Sequence, residues 1–243
     1  MPVSSYWSAT KAPRYSLVFA FPLLVLYELL AFVLTHDAIA GVRNGADVLL
    51  KSVFIALGGR NGVIIFGVIL VGTGLVLVWR DMRRSGGDLR PGWFGWMMAE
   101  SVLYALVFGL IAASLTSLLL HGRLWFLLQA PLERLDLATQ LMVSLGAGIY
   151  EELLFRVIMV GALFKAGKLL GWKPATAGVV ATVVGALIFS AFHYIGPYGD
   201  KLELSSFAFR AVAGVLFSGL YLLRGFGVTA WTHALYDVFL SLR

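Results

Sequence analysis

Long apolar windows separated by short charged segments divide this chain into predicted helices. A window of about 20 apolar residues is long enough to cross the hydrocarbon core of a bilayer. Windows of this kind predict membrane helices at about 16–35, 62–79, 93–120, 138–165, 174–195, 205–223 and 226–241. The segment 46–58 is too short to span comfortably and carries Lys51, which favours an interfacial or re-entrant helix; whether it spans is left open. The pattern therefore predicts an all-α fold, a polytopic transmembrane helix bundle of about seven to eight helices.

The composition supports a membrane protein. Of the 243 residues, 60% are hydrophobic and 13% are charged, whereas soluble domains have roughly 45–50% apolar and about 25% charged residues. A bilayer can accommodate this excess of apolar surface, whereas a soluble core cannot. We therefore expect the lipid bilayer to be a partner of this chain. The chain has no cysteine, which excludes disulfides, thiolate metal sites and thiol catalysis. We interpret residues 1–243 as a single membrane domain.

The charges indicate how the helices are oriented. With the N-terminus inside, the predicted inner segments hold ten cations and two acids, whereas the outer ones hold seven cations and six acids. Cytoplasmic loops of membrane proteins carry the excess of Lys and Arg, so this count favours seven spans with the C-terminus outside. The net charge of +6 is explained by these loops and does not predict nucleic-acid binding. The oligomeric state is left open.

Several ionisable side chains lie within the predicted spans. An ionised group at the bilayer centre costs about 2.5–3.5 kcal/mol even on the lenient insertion scale. Such groups must therefore face one another or a water-filled cavity. For an isolated acid or arginine, a polar clasp between helices is the simpler explanation, but two histidines and three acids on three C-terminal helices favour a catalytic or ligand-binding site. These ionisable residues are Glu28, Glu100, Glu151, Glu152, Arg156, His193, Arg210, His233 and Asp237.

Helical spacing predicts which of these groups meet. Glu152 and Arg156 are four residues apart on one helix face and can form an ion pair. His233 and Asp237 have the same spacing, so the carboxylate can orient the imidazole. Glu151 lies about 100° around the helix from Glu152, so one acid can pair with Arg156 while the other faces the cavity.

These residues form three ordered motifs that resemble those of the CPBP family, which comprises CaaX proteases, bacteriocin-processing and Abi-type proteins. The family pattern is Glu-Glu-x-x-x-Arg, then Phe-x-x-x-His, then His-x-x-x-Asn or Asp. The chain has EELLFR at Glu151–Arg156, FSAFH at Phe189–His193 and HALYD at His233–Asp237. The motifs define a predicted catalytic core at 138–241, and the N-terminal helices within 1–137 carry no recognised motif.

The resemblance implies an intramembrane endopeptidase. By this resemblance, Glu151 and His193 of this chain would activate a water that attacks the scissile carbonyl. His233 and Asp237 would lie across the cavity and bind the oxyanion or hold that side of the site. Glu152 would shape the first motif helix or handle the leaving amine.

The other two motif residues, Arg156 and Phe189, would be structural, as an ion-pair partner and as a ring packed beneath a histidine. CPBP proteins are described both as glutamate-dependent and as metal-dependent enzymes. We expect no required cofactor and leave zinc as the alternative; the ligands would then be Glu151, His193, His233 and Asp237. The CaaX endopeptidases have Asn where this chain has Asp237. An ionised Asp cannot donate to an oxyanion, so we expect Asp237 to orient His233 or to bind a metal.

The expected substrate is a membrane-associated protein or peptide, for example a C-terminal anchor or sorting signal or a leader peptide. Two alternatives remain: a non-catalytic immunity or scaffold protein, and a proton- or ion-coupled transporter. The small size suggests a multi-pass protein of the bacterial inner membrane. From the charge count, we expect the site to lie toward the outer leaflet.

Overall fold

The computed structural model describes residues 3–35, 42–85, 89–120, 135–196 and 199–242, and all regular structure in these ranges is helical. The prediction of an all-α helix bundle is therefore confirmed. The helical elements include a 3-10 turn, Gly59–Asn61, and a π-helical segment, Ala147–Val160. The α-helices are α1 (Val3–Lys11), α2 (Pro13–Thr35), α3 (Gly45–Gly58), α4 (Gly62–Arg84), α5 (Pro91–Leu119), α6 (Leu137–Gly146), α7 (Gly161–Leu169), α8 (Pro174–Phe192), α9 (Leu204–Arg224) and α10 (Phe226–Ser241).

Five stretches of the described chain are long and apolar enough to cross a membrane: Pro13–Leu34, Gly45–Arg84, Pro91–Leu119, Pro174–Phe192 and Leu204–Arg224. Many of their large apolar side chains are exposed on the outside of the bundle. In water such a surface would aggregate, whereas lipid tails solvate it. The chain is therefore an integral membrane protein.

Two of the seven predicted spans do not meet this criterion. The predicted span 226–241 forms α10, which has only 16 residues. The predicted span 138–165 forms a longer helical run, but its winding changes to π between α6 and α7 and its middle carries buried charges. Both helices contribute to the polar site, and the buried charges of the first and the short length of the second explain why they miss the criterion.

Local sequence signals account for where several helices begin and end. Pro91 and Pro174 occupy the first turns of α5 and α8, where a missing N–H costs nothing. Gly225, at φ 80°, lies in the left-handed region and separates α9 from α10. Asp136 caps α6, and hydrogen bonds from the hydroxyl and the N–H of Thr139 hold the pKa of Asp136 below its ordinary value.

Helix α10 lies at the centre of the bundle. It packs against α2, α5, α6, the π-helical segment and α9. A Cβ atom at Gly148 would lie 2.3 Å from the carbonyl oxygen of Ala230, so only glycine lets the two backbones approach this closely. This contact brings the motif on the π-helical segment next to the motif on α10.

The intramembrane charges outside the three motifs pair with groups on other helices or on an adjacent loop. Arg224 of α9 contacts Glu100 of α5 at 2.8 Å, and Arg210 pairs with Asp200. Glu28 of α2 accepts hydrogen bonds from Lys51 at 2.9 Å and from the hydroxyl of Tyr150. These contacts fit the interpretation that isolated intramembrane charges hold neighbouring parts of the chain together.

The short helix predicted at 46–58 is confirmed as α3. The chain bends sharply after it, because the rings of Phe54 and Phe66 pack 5.2 Å apart although twelve residues separate them. The N-terminal end of α3 points into the bundle, where Ala46, Asp47 and Lys51 are buried. Helix α3 is therefore part of the bundle interior at one end, next to the π-helical segment.

Candidate active site

The first motif lies on the π-helical segment, where both of its acids are buried. π-Helical turns are rare and occur frequently at functional sites. The wider winding changes the angle between Glu151 and Glu152 from that of an α-helix, but the two carboxylates still point to different partners. Each acid therefore has its own set of contacts.

Glu152 and Arg156 form the predicted pair. Arg156 Nε lies 3.2 Å from Glu152 Oε2, and the side chain of Glu152 is 0% exposed. The Arg156 guanidinium lies over the ring of Phe189 at 4.4 Å and over that of Phe217 at 5.4 Å. The guanidinium lies over the faces of both rings, and this placement adds cation–π attraction to the ion pair.

His233 is held mainly by Glu152. Its Nδ1 lies 2.7 Å from Glu152 Oε1, whereas its Nε2 lies 3.6 Å from Asp237 Oδ2, beyond hydrogen-bond distance. The ring stacks on Phe217 with a centroid distance of 4.3 Å. The contact with Glu152 was not predicted from the sequence, because the two residues lie 81 positions apart.

His193 follows the last residue of α8 and faces Glu151. Its Nδ1 lies 2.9 Å from the carbonyl oxygen of Phe189. A carbonyl can only accept, so Nδ1 carries the proton, and Nε2 is the basic nitrogen of the neutral ring. That Nε2 lies 4.0 Å from Glu151 Oε2. The predicted packing of the Phe189 ring against His193 is present, with a centroid distance of 4.9 Å.

The two oxygens of Glu151 have different surroundings. Oε1 accepts a hydrogen bond of 2.8 Å from the side-chain amide of Asn44. Oε2 is buried and has no hydrogen-bond partner within the described residues. Glu151 therefore presents one fixed oxygen and one available oxygen, and the available one faces His193.

The site is closed at its base and open on one side. The side chain of Glu152 is fully buried, whereas those of His193 and Asp237 are 26% and 24% exposed. The structure thus brings all five predicted catalytic residues into one cluster, with Arg156 and Phe189 beneath it. Such an arrangement can hold a polar molecule against Glu151 and His193 while His233 faces the same space.

Zinc binding by the four predicted ligands stays a prediction. Within the described ranges, no group of three or more histidine and acidic side chains is arranged to hold a metal ion. The ring of His233 has a carboxylate near each nitrogen, and Nδ1 of His193 is directed at a backbone carbonyl. Nε2 of His193 and Oε2 of Glu151 face each other at 4.0 Å.

Comparison with known protein families supports the interpretation of this chain as a protease. The model of a family described as type II CAAX prenyl endopeptidase Rce1-like matches residues 133–239. Searches of curated proteins and of solved structures return no significant match. The matched range contains all three motifs, and it indicates a CAAX-type intramembrane endopeptidase that acts on a protein or peptide. The resemblance of this chain to the CPBP family of intramembrane proteases is therefore confirmed.

Proposed function

We propose that the cluster hydrolyses a peptide bond with a water activated by Glu151 and His193. The observation that carries this proposal is the 4.0 Å distance between Glu151 Oε2 and His193 Nε2. The distance is too long for a direct hydrogen bond and suits a water that bridges the two atoms. Both atoms can accept hydrogen bonds, so they would accept one from each O–H of that water and direct its lone pair at a carbonyl.

The steps follow from ordinary acid–base chemistry. As the water attacks, Glu151 takes its proton, and the resulting carboxylic acid gives that proton to the leaving amine. His233 has an acidic side chain near each ring nitrogen, which favours an imidazolium. As an imidazolium, His233 donates from Nε2 to the oxyanion. The mechanism includes no metal step.

Glu152 and Arg156 have a supporting role in this proposal. Arg156 neutralises Glu152, and Glu152 in turn fixes the ring of His233 by the 2.7 Å contact to Nδ1. Asp237 stabilises the positive charge of His233 without serving as a donor. In this proposal Glu152 does not handle the leaving amine, because Oε1 contacts His233 and Oε2 faces the Arg156 cation.

The site lies toward one end of the bundle, and we assign that end to the outer leaflet. The opposite end is marked by contacts of Arg224 with Thr10 and of Arg14 with Asp81. Those residues lie in or beside the cation-rich segments that the positive-inside rule places in the cytoplasm. The site end holds His193 and the start of α9 at Leu204.

An outer site fits a substrate cut after export, such as a C-terminal anchor or sorting signal, or a leader peptide. The description of the matched family names prenylated CAAX substrates, which are the competing class. Both classes have a scissile bond close to a membrane anchor. The position of the site relative to the cytoplasm distinguishes them.

Activity can be tested before the substrate is identified. Cells that lack the native gene would carry either the wild-type protein or Glu151→Gln, and mass spectrometry of labelled protein termini would compare their membrane and secreted proteins. We expect termini that appear only with the wild type. Cleavage of a purified farnesylated CAAX peptide by the wild type would assign the competing substrate class.

The matched variants His193→Gln and His233→Gln should also abolish cleavage, while Ser85→Ala, in an exposed turn, should not. Full retention of the wild-type termini by Glu151→Gln would remove Glu151 from the mechanism. All variants should be compared at equal membrane content, because loss of a folded protein also removes its products.

A further inference from the structure

Asn44 is a buried polar residue that lies outside both the three motifs and the matched range 133–239. It is 2% exposed and precedes α3. Its side-chain oxygen accepts a hydrogen bond of 2.9 Å from the N–H of Ala46, which caps α3. Because the cap requires the amide oxygen, the NH₂ group must point the other way, and it donates to Glu151 Oε1 at 2.8 Å.

Two further contacts fix the position of Asn44. Its backbone N–H donates to the hydroxyl of Tyr27 at 3.4 Å. In addition, a Cβ atom at Gly146 would lie 2.7 Å from Cβ of Asn44 and 2.5 Å from the Tyr27 ring. Glycine at position 146 therefore lets the helix that leads to Glu151 pack directly on Asn44.

This geometry has a consequence for Glu151. A carboxylate with one oxygen held by an amide cannot rotate freely, so the other oxygen stays directed at His193 Nε2. The amide that holds Oε1 is itself fixed, because its oxygen caps α3. The contact therefore favours one orientation of the Glu151 carboxylate.

We propose that Asn44 is a positioning residue that orients Glu151, so that the helices before the matched range complete the active site. This inference rests on the proposed role of Glu151 as the base. It assigns to α3 a function beyond packing: without the amide, the carboxylate would lose its fixed direction.

Two variants separate this role from helix capping. Asn44→Ser keeps a good N-cap, but its side chain is too short to reach Glu151. Asn44→Asp keeps the cap and the shape, but it replaces the donor with an oxygen that repels the carboxylate. The matched control is Asp136→Ser, a cap-for-cap exchange at α6 that does not touch the site.

The measurement is infrared spectroscopy of purified protein in lipid nanodiscs at one fixed pH. The carboxylate band of Glu151 is identified as the band that Glu151→Gln removes. We expect this band to shift and broaden in Asn44→Ser, because loss of the amide donor changes the hydrogen bonding and the order of the carboxylate. The same change is expected in Asn44→Asp, and no change is expected in Asp136→Ser.

The infrared measurement does not depend on a substrate, so its outcome is distinct from that of the cleavage test. A Glu151 band unchanged in both Asn44 variants would overturn the positioning role. Retained cleavage by Glu151→Gln would instead refute the base assignment and leave the Asn44 contact standing. If Asn44→Asp does not fold, Asn44→Ser with a thermal midpoint close to that of the wild type decides the matter.

Discussion

Arg156→Ala should destabilise the protein more than any single exposed substitution. Arg156 and Glu152 are both buried, with Nε and Oε2 3.2 Å apart. Removing one member of a buried pair leaves an uncompensated charge and typically costs about 3–5 kcal/mol. Loss of the guanidinium from the rings of Phe189 and Phe217 adds up to about 2 kcal/mol. The contact of His233 with Glu152 offsets part of this, so we expect a net loss of about 3–5 kcal/mol.

The assay is reversible unfolding of purified protein in mixed micelles by sodium dodecyl sulfate, followed by tryptophan fluorescence. A double-mutant cycle with Glu152→Gln isolates the pair. We expect a coupling free energy of about 2 kcal/mol or more. The reason is that a neutral amide at position 152 leaves no uncompensated charge when Arg156 is removed. The matched control is Arg83→Ala. Arg83 lies over the Trp79 ring at 4.2 Å on an exposed surface, where the contact is worth about 0.5–1 kcal/mol.

Two results would refute this reasoning. The first is a cycle without measurable coupling between Arg156 and Glu152. The second is an Arg156→Ala variant that loses no more stability than Arg83→Ala. Either result would show that the buried pair is not the element that holds the base of the site.

Three further outcomes are expected. Gly148→Leu should sharply lower the folded yield in membranes, because its Cβ would lie 2.3 Å from a backbone oxygen, whereas Gly178→Leu, with no atom near its Cβ, should not. Asp237→Asn should slow cleavage about 10- to 100-fold at unchanged thermal midpoint, since it removes a charge that favours the imidazolium; an unchanged rate would contradict this role. A cysteine at the exposed Leu202 should react with an impermeant thiol reagent in intact cells and one at Ser85 should not; the reverse would place the site in the cytoplasmic half and favour a cytosolic substrate.

Much of the architecture could be predicted from the sequence because it depends on local patterns. The predicted segments 174–195 and 205–223 became α8 (Pro174–Phe192) and α9 (Leu204–Arg224), since apolar length and proline or glycine signals act within each segment. The i,i+4 spacing of Glu152 and Arg156 likewise predicted a pair within one helix. Helix α1 was missed, because Val3–Lys11 is short and not strongly apolar.

The chemistry of the site was decided by contacts between distant parts of the chain. The sequence alone determined a multi-span helical protein and three motifs with the residue types of a hydrolytic site. It could not determine that Glu152, not Asp237, holds Nδ1 of His233, or that Asn44 holds Glu151 across 107 positions. Local spacing constrains only neighbours on one helix. Partners on different helices depend on close backbone approaches, such as the one that Gly148 permits, and these exist only after the helices have packed.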